Sequence, residues 1–189
     1  MVHTAQMRPF GTMARMDLDF RPALDHLDLL GGPVAKALAD WPYADQVLVA
    51  EIDPELADTA AMSEAYGFSM LDSANCVVVS GKRAGEERVA ACMVRADTRA
   101  DVNNLVKRRL DVRKASFHPM DRAVEESGME YGGITPFGIP AEWRLLVDER
   151  VTAIERACVG SGVRRSKLFL PGALLAELPG AEVVTDLAG

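Results

Sequence analysis

The chain has 189 residues, of which 49% are apolar and 26% are charged. This composition is typical of one globular domain and excludes a chain that is mainly disordered. No segment reaches the roughly 18 consecutive apolar residues of a membrane span, and the start lacks the apolar run and cleavage site of a secretory signal. The net charge of −7 argues against a broad basic face that coats nucleic acid, but it is compatible with a local site for one nucleic-acid end. We therefore expect a cytoplasmic protein with no membrane or DNA partner.

The first third of the chain contains a tail, followed by predicted helices and a strand that are bounded by glycine and proline residues. Residues 1–20 are Met-rich and aperiodic, and we predict a poorly ordered tail there, followed by a single domain over residues 21–189. A helix is predicted over 34–40, after a Gly-Gly-Pro break. A strand over 47–52 follows, and then a helix begins at Pro54 and ends just before Gly67.

The most strand-like region is a predicted β-hairpin, with strands over 74–79 and 88–94 and a polar, glycine-containing connection. Both strands are apolar at successive positions, which is typical of strands covered on both faces. Asp101 then starts a predicted helix as its N-cap. The remaining predicted elements are a strand over 114–117, a helix that ends at Gly128, strands over 145–148, 154–159, 167–170 and 182–184, and a helix over 171–178. This mixture predicts a mixed α/β fold with a curved, barrel-like sheet and surrounding helices.

The cysteines and the acidic residues give no metal motif. Cys76, Cys92 and Cys158 have long, unequal spacings and no neighbouring histidine. Their apolar contexts favour buried free thiols, while a disulfide or a nucleophilic thiol stays open. The acidic residues between 51 and 58 are better explained by helix capping and a solvated face than by a metal site. We expect no metal and no cofactor.

Residues 129–140, MEYGGITPFGIP, contain three glycines and two prolines, which predict a stiff, sharply turned loop. Glycine lacks a Cβ atom, so a ligand can approach its main chain closely, and Pro136 fixes the shape of the loop beforehand. Preorganised main-chain N–H donors stabilise a developing oxyanion by about 3–4 kcal/mol each in known enzymes. The loop is therefore a candidate site for an ester substrate, and a merely tight connection is the alternative.

Residues 128–138, GMEYGGITPFG, resemble a loop of the YbaK/ProX aminoacyl-tRNA deacylases, a family that includes the editing domain inserted in bacterial prolyl-tRNA synthetases. The loop is similar to that family's Gly-Gly-x-(Ser/Thr)-Pro-x-Gly pattern. The segment 101–105 at the start of a helix, the glycine-rich segment 160–167 and the order of the elements support the resemblance. It covers about residues 44–184.

The resemblance implies a YbaK-type editing-domain fold and metal-independent hydrolysis of the ester of a mischarged aminoacyl-tRNA. Water is the nucleophile, the terminal ribose hydroxyl assists, and the size of the pocket selects the amino acid. Because the sequence contains no synthetase catalytic or anticodon-binding domain, such editing would act in trans on the tRNA 3′ acceptor end. The implied catalytic residues are Asn75, Gly132 and Gly133. The implied substrate-binding residues are Thr135, Pro136, Phe137, Gly138, Gly160, Ser161, Gly162, Arg164 and Lys167.

Position 75 departs from the family pattern, which usually has a lysine at the start of the first hairpin strand. Asn75 supplies a neutral amide that can orient a substrate oxygen or a water, but it supplies no positive charge. Three interpretations stay open: a different substrate choice, a basic group provided from elsewhere in the chain, or binding without catalysis. The last makes the protein a non-catalytic module for an aminoacyl-tRNA or a related small ligand. A third class of protein, an unrelated soluble domain with a coincidental loop, also stays open.

Other basic side chains have plain structural explanations. His118 is a candidate general base near neutral pH, although a partly exposed structural histidine is the favoured interpretation. Lys82 and Arg83 are nearest to position 75 among basic residues, and we expect them to be solvated in the hairpin turn. The basic clusters at 107–109 and 113–114 lie near a predicted helix end, where cations offset the dipole, and contact with acceptor-stem phosphates is the alternative.

Overall fold

The structure is a computed structural model that describes residues 17–189, so most of the predicted tail lies outside the described residues. The α-helices of this part of the chain are α1 (Gly32–Ala39), α2 (Thr59–Tyr66), α3 (Lys107–Leu110), α4 (Met120–Ser127) and α5 (Glu149–Thr152). The β-strands are β1 (Arg21–Pro22), β2 (Leu48–Glu51), β3 (Ala74–Arg83), β4 (Glu86–Arg95), β5 (Ala115–Phe117), β6 (Arg144–Asp148), β7 (Ala157–Gly160), β8 (Ser166–Leu170) and β9 (Ala181–Val184). The predicted mixed α/β fold is confirmed. Within the described range, no helix is long and apolar enough to cross a membrane.

The strands form two sheets. The first has the order β1-β2-β8-β7 with antiparallel neighbours. The second has the order β5-β3-β4-β6-β9, in which β4, β6 and β9 are parallel and the β3 pairings are antiparallel. An isolated parallel bridge between Ser73 and Cys158 joins the start of β3 to β7. Residues 17–189 therefore contain two adjoining sheets and no closed barrel, which refines the predicted barrel-like sheet.

The β3–β4 hairpin is longer than predicted. The two strands pair in continuous register from Ala74 opposite Arg95 to Arg83 opposite Glu86. Only Ala84 and Gly85 form the turn, with φ angles of 51° and 87°. Two left-handed residues in succession match the right-handed twist of the strands, so a two-residue turn is sufficient. Lys82, Arg83 and Glu86, which indicated a long connection, lie in the exposed outer part of the strands, whereas Ser80 is buried within β3.

The helix ends largely follow the predicted capping residues. The Asp53 carboxylate accepts the Glu55 N–H at 2.9 Å, which confirms the capping interpretation for Asp53, whereas Asp58 at the N-cap of α2 makes no such side-chain bond. Asp101 likewise accepts the N–H groups of Asn104 and Leu105, although the first turn there is a π-helical turn. Gly67 terminates α2 in a left-handed conformation, which a glycine adopts without steric cost.

Three predicted elements differ from the structure. The helix predicted from Pro54 is split into a 3₁₀ turn, Pro54–Leu56, and α2. The helix predicted over 171–178 is a 3₁₀ segment, Gly172–Glu177, and the strand predicted over 154–159 is β7, which begins at Ala157. The first two differences concern the type and continuity of the helix and the third concerns a boundary, and periodicity locates such features less reliably than it locates an element.

The second sheet is covered on both faces. Along β4, Ala91 and Met93 belong to the main core, which also contains residues of the first sheet and α1. Ala90 and Cys92 point into a second core with Leu110 of α3. This alternation explains why β4 is apolar at successive positions, as predicted for a doubly covered strand. The sheet is therefore a rigid frame for the residues at the start of β3.

Candidate active site

A cavity of about 210 Å³ lies beside the bridge that joins the two sheets. Its walls are the start of β3, the end of β7, the first turn of α2 and the glycine loop. Four of the sequence-predicted site residues line it: Asn75, Gly132, Gly160 and Lys167. The glycine loop is thus not packed shut, because an open volume reaches from it to the hairpin strand.

The cavity has an apolar floor and a polar mouth. Met62, Ala74 and Val159 line it and are buried. Asn75 and Tyr131 line it and are exposed, with Tyr131 retaining 57% of its accessible surface. A ligand that enters between the exposed residues therefore meets these apolar side chains together with the buried Ser73 and Lys167.

Lys167 is the buried cation of this cavity. The residue is only 7% exposed, because every position of β8 is buried. Its Nζ donates to the main-chain oxygen of Gly132 at 3.4 Å. Burial lowers the pKa of Lys167 below its ordinary value, since an ammonium loses hydration when it leaves water. The first sheet thus contributes the Lys167 amine to the same cavity to which β3 contributes the neutral Asn75.

Asn75 is oriented by α2. The Thr59 hydroxyl donates to its side-chain oxygen at 2.9 Å. Thr59 is the first residue of α2, and it also lines the cavity. The amide nitrogen of Asn75 donates no hydrogen bond to any residue of 17–189, so it is available to a ligand.

Main-chain hydrogen bonds join the glycine loop to the glycine-rich turn after β7. Gly162 accepts from the Glu130 N–H at 2.9 Å and donates to the Gly133 oxygen at 2.8 Å. The backbones approach so closely that a Cβ atom on Gly133 would lie 2.7 Å from the Val163 nitrogen. A Cβ on Gly160 would lie 2.5 Å from the Gly133 oxygen. These glycines are needed for contact between two backbones.

The N–H groups of the two neighbouring loop glycines differ in availability. The Gly133 N–H donates to the Glu130 oxygen at 2.9 Å, so the loop itself uses this donor. The Gly132 N–H has no acceptor among the residues that the structure describes, and Gly132 lines the cavity with φ = 80°. The Gly133 N–H is therefore part of the loop's own hydrogen bonding, whereas Gly132 lies at the cavity with an N–H that no described residue accepts.

Arg164 forms hydrogen bonds that hold the glycine loop in place. Its main-chain N–H donates to the Glu130 carboxylate at 2.7 Å. Its guanidinium donates to the Pro54 oxygen at 2.9 and 3.1 Å and to the Tyr131 oxygen at 3.4 Å. Most of its donors are thus satisfied by the protein, and the side chain connects the segment before α2 to the glycine loop.

The second half of the loop lies away from the cavity. Thr135 and Phe137 are 0% and 1% exposed, and Phe137 belongs to the main core. Pro136, Phe137 and Gly138 line a separate cavity of about 430 Å³, together with Trp41 and Trp143. The structure does not bring these predicted binding residues to Asn75 and Lys167.

Ser161, which was predicted to bind substrate, is buried and forms hydrogen bonds within the protein. It is fully buried, and its hydroxyl donates to the Ser166 oxygen at 2.9 Å. The Ser166 hydroxyl lies 2.8 Å from the Ser161 hydroxyl and 2.7 Å from the Leu29 oxygen. This network positions the turn between β7 and β8, which orients Lys167.

The cysteines are free thiols, and two of them line the cavity. Cys76 and Cys158 contribute to its wall, whereas Cys92 lies in the second core. Burial raises the pKa of Cys158 to about 12 and also raises the pKa of Cys76. Both thiols are therefore protonated at neutral pH and are poor nucleophiles. Residues 17–189 also contain no group of three His, Cys, Asp or Glu side chains placed to hold a metal.

His118 lies outside this cavity. Its side chain is fully buried, with Nε2 3.3 Å from the Glu126 carboxylate, so the prediction of partial exposure was wrong. Its main-chain N–H donates to the Val78 oxygen at 2.8 Å, and its ring is edge-on to Trp143. It is not placed to act as a general base at Asn75.

The basic clusters are also remote from the cavity. Arg83, at the far end of β3, pairs with Asp111 and is eight positions after Asn75, roughly 26 Å along a strand. Arg109 pairs with Glu182. Arg83 thus pairs with a carboxylate at the outer end of the hairpin, and Arg109 pairs with one on β9.

The chain belongs to the aminoacyl-tRNA editing domain family, which matches residues 53–178, about two thirds of the sequence. The matched region contains the whole cavity wall described above. No curated protein matches the chain in sequence.

Solved structures share the fold at low sequence identity. One is provisionally described as a trans-editing enzyme for prolyl-tRNA synthetase, with a TM-score of 0.69, 19% identity, and coverage of 81% of this chain and 93% of that one. Another is the hypothetical protein APE2540, with a TM-score of 0.65, 22% identity, and coverage of 75% and 90%. A scaffold protein for epitope presentation has a TM-score of 0.70, 18% identity, and coverage of 82% and 95%. The YbaK-like family assignment and the editing-domain fold are confirmed.

Sequence analysis missed several lining residues. Thr59, Met62 and Tyr131 line the cavity but were not predicted as site residues. Tyr131 lies inside the recognised loop motif, directly before the two glycines, so its position was the available signal. Thr59 and Met62 give no comparable signal, because only long-range packing places them there: Met62 packs with Cys158 and Phe169 of the first sheet, and the Thr59 hydroxyl bonds to Asn75.

Proposed function

We propose that this protein hydrolyses the ester of a mischarged aminoacyl-tRNA, acting in trans in the cytoplasm through one domain over residues 21–189. One observation carries this proposal: a cavity of about 210 Å³ in an editing-domain fold brings together a buried amine, an oriented amide and an unpaired loop N–H. These groups belong to Lys167, Asn75 and Gly132 respectively. They are donors, as required to bind the oxygens of an ester and its ribose.

The chemistry is addition of water followed by loss of the ribose. The water oxygen attacks the ester carbonyl carbon, and the carbonyl electron pair moves to oxygen. The Gly132 N–H is the main-chain donor assigned to this oxyanion. When the electron pair returns, the bond from carbon to the ribose oxygen breaks, and that oxygen takes a proton. The products are the free amino acid and the deacylated tRNA.

Water is the nucleophile in this proposal, and the terminal ribose hydroxyl relays its proton, as the family resemblance implies. The cavity supports it because the thiols of Cys76 and Cys158 are held in the protonated form. Asn75 is assigned to orient the substrate or the attacking water through its amide, which Thr59 holds in place.

The polarity of the cavity wall indicates where the amino-acid side chain and the terminal adenine of the substrate bind. The apolar floor, which includes Met62, Ala74 and Val159, favours a small uncharged amino-acid side chain, because a charged one would lose hydration there. Tyr131 at the mouth offers an exposed ring on which the terminal adenine can stack. Thr135, Pro136, Phe137, Gly138, Ser161 and Gly162 support the shape of the site in this proposal.

The test is a panel of mischarged tRNAs, carrying alanyl, seryl and threonyl esters, incubated with pure protein. We expect at least one ester to be hydrolysed well above the spontaneous rate. Asn75→Ala should reduce that rate, and Lys82→Ala, at the exposed far end of β3, should not.

The second candidate function is non-catalytic binding. It is favoured by Asn75, which is neutral where the family usually has a lysine. It predicts binding of a non-hydrolysable 3′-aminoacylamino-adenosine without hydrolysis of any ester on the panel. Hydrolysis of one ester, abolished by changes in the cavity, would exclude this candidate.

A further inference from the structure

Lys167 is a buried cation without a carboxylate partner. Within residues 17–189 no Asp or Glu oxygen lies within 4 Å of its Nζ, and its one hydrogen bond is the long contact to the Gly132 oxygen. An ammonium in such a place loses hydration without a compensating ion pair, which is unfavourable for folding. An apolar residue at position 167 would make β8 more stable, because the other residues of this strand are also buried: Ser166, Leu168, Phe169 and Leu170. The position therefore indicates a function for the charge.

The neighbours of Lys167 leave room for a ligand beside it. Its strand partner on β7 is Gly160, which has no side chain, and both residues line the cavity. The wall on the β3 side has the neutral Asn75. A second ammonium there would repel the first inside so small a volume, so one charged and one neutral position are compatible with each other.

We infer that Lys167 is the catalytic cation of this site and binds the carbonyl oxygen of the ester as that oxygen becomes negative. This inference rests on the function proposed above. As water adds to the carbonyl carbon, the electron pair on oxygen is held by the Lys167 ammonium and by the Gly132 N–H. The ammonium keeps its protons throughout, and the electron pair returns to carbon when the ribose oxygen leaves. The basic group is therefore provided from β8.

The test compares Lys167→Met, which keeps the length of the side chain, with Lys167→Arg and with the exposed control Lys82→Met. For the best ester of the panel, we expect Lys167→Met to lower kcat at least 100-fold with little change in KM. Lys167→Arg should lower kcat less. Lys82→Met should leave kcat unchanged. The double variant Asn75→Lys/Lys167→Met returns a cation to the cavity from the opposite wall. It should regain at least tenfold over Lys167→Met.

A binding measurement separates the charge from any effect on folding. Calorimetry compares an anionic phosphonate analogue of 3′-alanyl-adenosine, which imitates the tetrahedral intermediate, with the neutral 3′-amide. The wild-type protein should bind the phosphonate at least tenfold more tightly than the amide, and Lys167→Met should lose this preference. If the wild type hydrolyses an ester and Lys167→Met retains kcat within threefold, or retains the phosphonate preference, the inference is overturned while the proposed function stands. If the wild type hydrolyses no ester, the proposed function fails and the inference fails with it.

Discussion

Gly162 donates its main-chain N–H to the carbonyl oxygen of Gly133 at 2.8 Å, which joins two glycine-rich segments that are about 30 residues apart in sequence. The loop before Pro136 and the turn after β7 thereby form one rigid unit. This unit holds Gly132 at the cavity and leaves its N–H unpaired. The spacing of the two backbones therefore determines the geometry of the candidate site.

Gly133→Ala should disrupt this unit. Its Cβ would lie 2.7–2.8 Å from three main-chain atoms of Val163, and a backbone cannot move aside as a flexible side chain can. We expect a loss of roughly 1–3 kcal/mol in the free energy of unfolding, measured by urea titration, together with a large loss of deacylation. Gly32→Ala is the matched control, because no atom lies within 4 Å of its Cβ position. Equal stability of the two variants would contradict the proposed close contact.

Lys167→Met should stabilise the protein while it removes activity. The variant relieves the burial of an ammonium and keeps the volume, and such changes commonly add about 0.5–2 kcal/mol. For a chain of this length, each kcal/mol raises Tm by roughly 2–4 °C. Thermal unfolding at pH 7 checks the expectation. A lower Tm for the variant would show that the lysine is structurally required.

The stability difference should depend on pH. The folded-state pKa of Lys167 lies below its ordinary value of 10.5, because burial and the charge of Arg164 lower it more than the nearby Asp58 and Cys158 raise it. Between the folded-state pKa and 10.5 the unfolded chain binds more protons, so wild-type stability rises with pH in that window. The advantage of Lys167→Met should therefore shrink as the pH rises toward 10.5. Urea titrations of both proteins from pH 7 to pH 10 test this, and a constant difference would contradict it.

Thr59→Val should impair catalysis without a comparable effect on folding. The substitution keeps the shape of the side chain but removes the hydroxyl that donates to Asn75 at 2.9 Å. Loss of one hydrogen bond of this kind corresponds to about 1 kcal/mol, or roughly fivefold in rate. We expect kcat to fall by that factor, and Asn75→Ala to fall further. If Thr59→Val lowers the rate while Asn75→Ala does not, the positioning role of Thr59 is wrong.

Tyr131→Ala should weaken substrate binding. A base stacked on an aromatic ring contributes about 1–3 kcal/mol, so KM should rise at least fivefold with little change in kcat. Tyr131→Phe should behave as the wild type, because the ring is retained. Phe117→Ala, at an equally exposed ring outside the cavity, is the control. An unchanged KM in Tyr131→Ala would exclude stacking on this residue.

The sequence predicted the class of fold and the place of the loop better than it predicted the roles within the loop. Composition identified Gly132 and Gly133 as a place where a ligand can approach the main chain closely, whereas at Gly133 the structure has the main chain of Val163 in that position. Which N–H is available depends on where Glu130 lies, because its oxygen takes the Gly133 donor. That contact depends on the three-dimensional path of the turn, and no local pattern encodes it.

Position 167 illustrates the same limit. A lysine in a strand otherwise made of buried residues is visible in the sequence, and it was predicted to bind substrate. Its place opposite Asn75 depends on the bridge between Ser73 and Cys158, which brings the two sheets together. Long-range pairing of this kind is not readable from periodicity. Likewise, the motif predicted Phe137 as a binding residue, but burial in the main core assigns it to packing.

The most direct test of the account is the release of labelled amino acid from mischarged tRNA, followed over time with the wild-type protein and with Asn75→Ala. The account predicts release far above the spontaneous rate with the wild type, for at least one small uncharged amino acid, and a clear reduction in the variant. Release at the spontaneous rate with the wild type for alanyl, seryl and threonyl esters would contradict it.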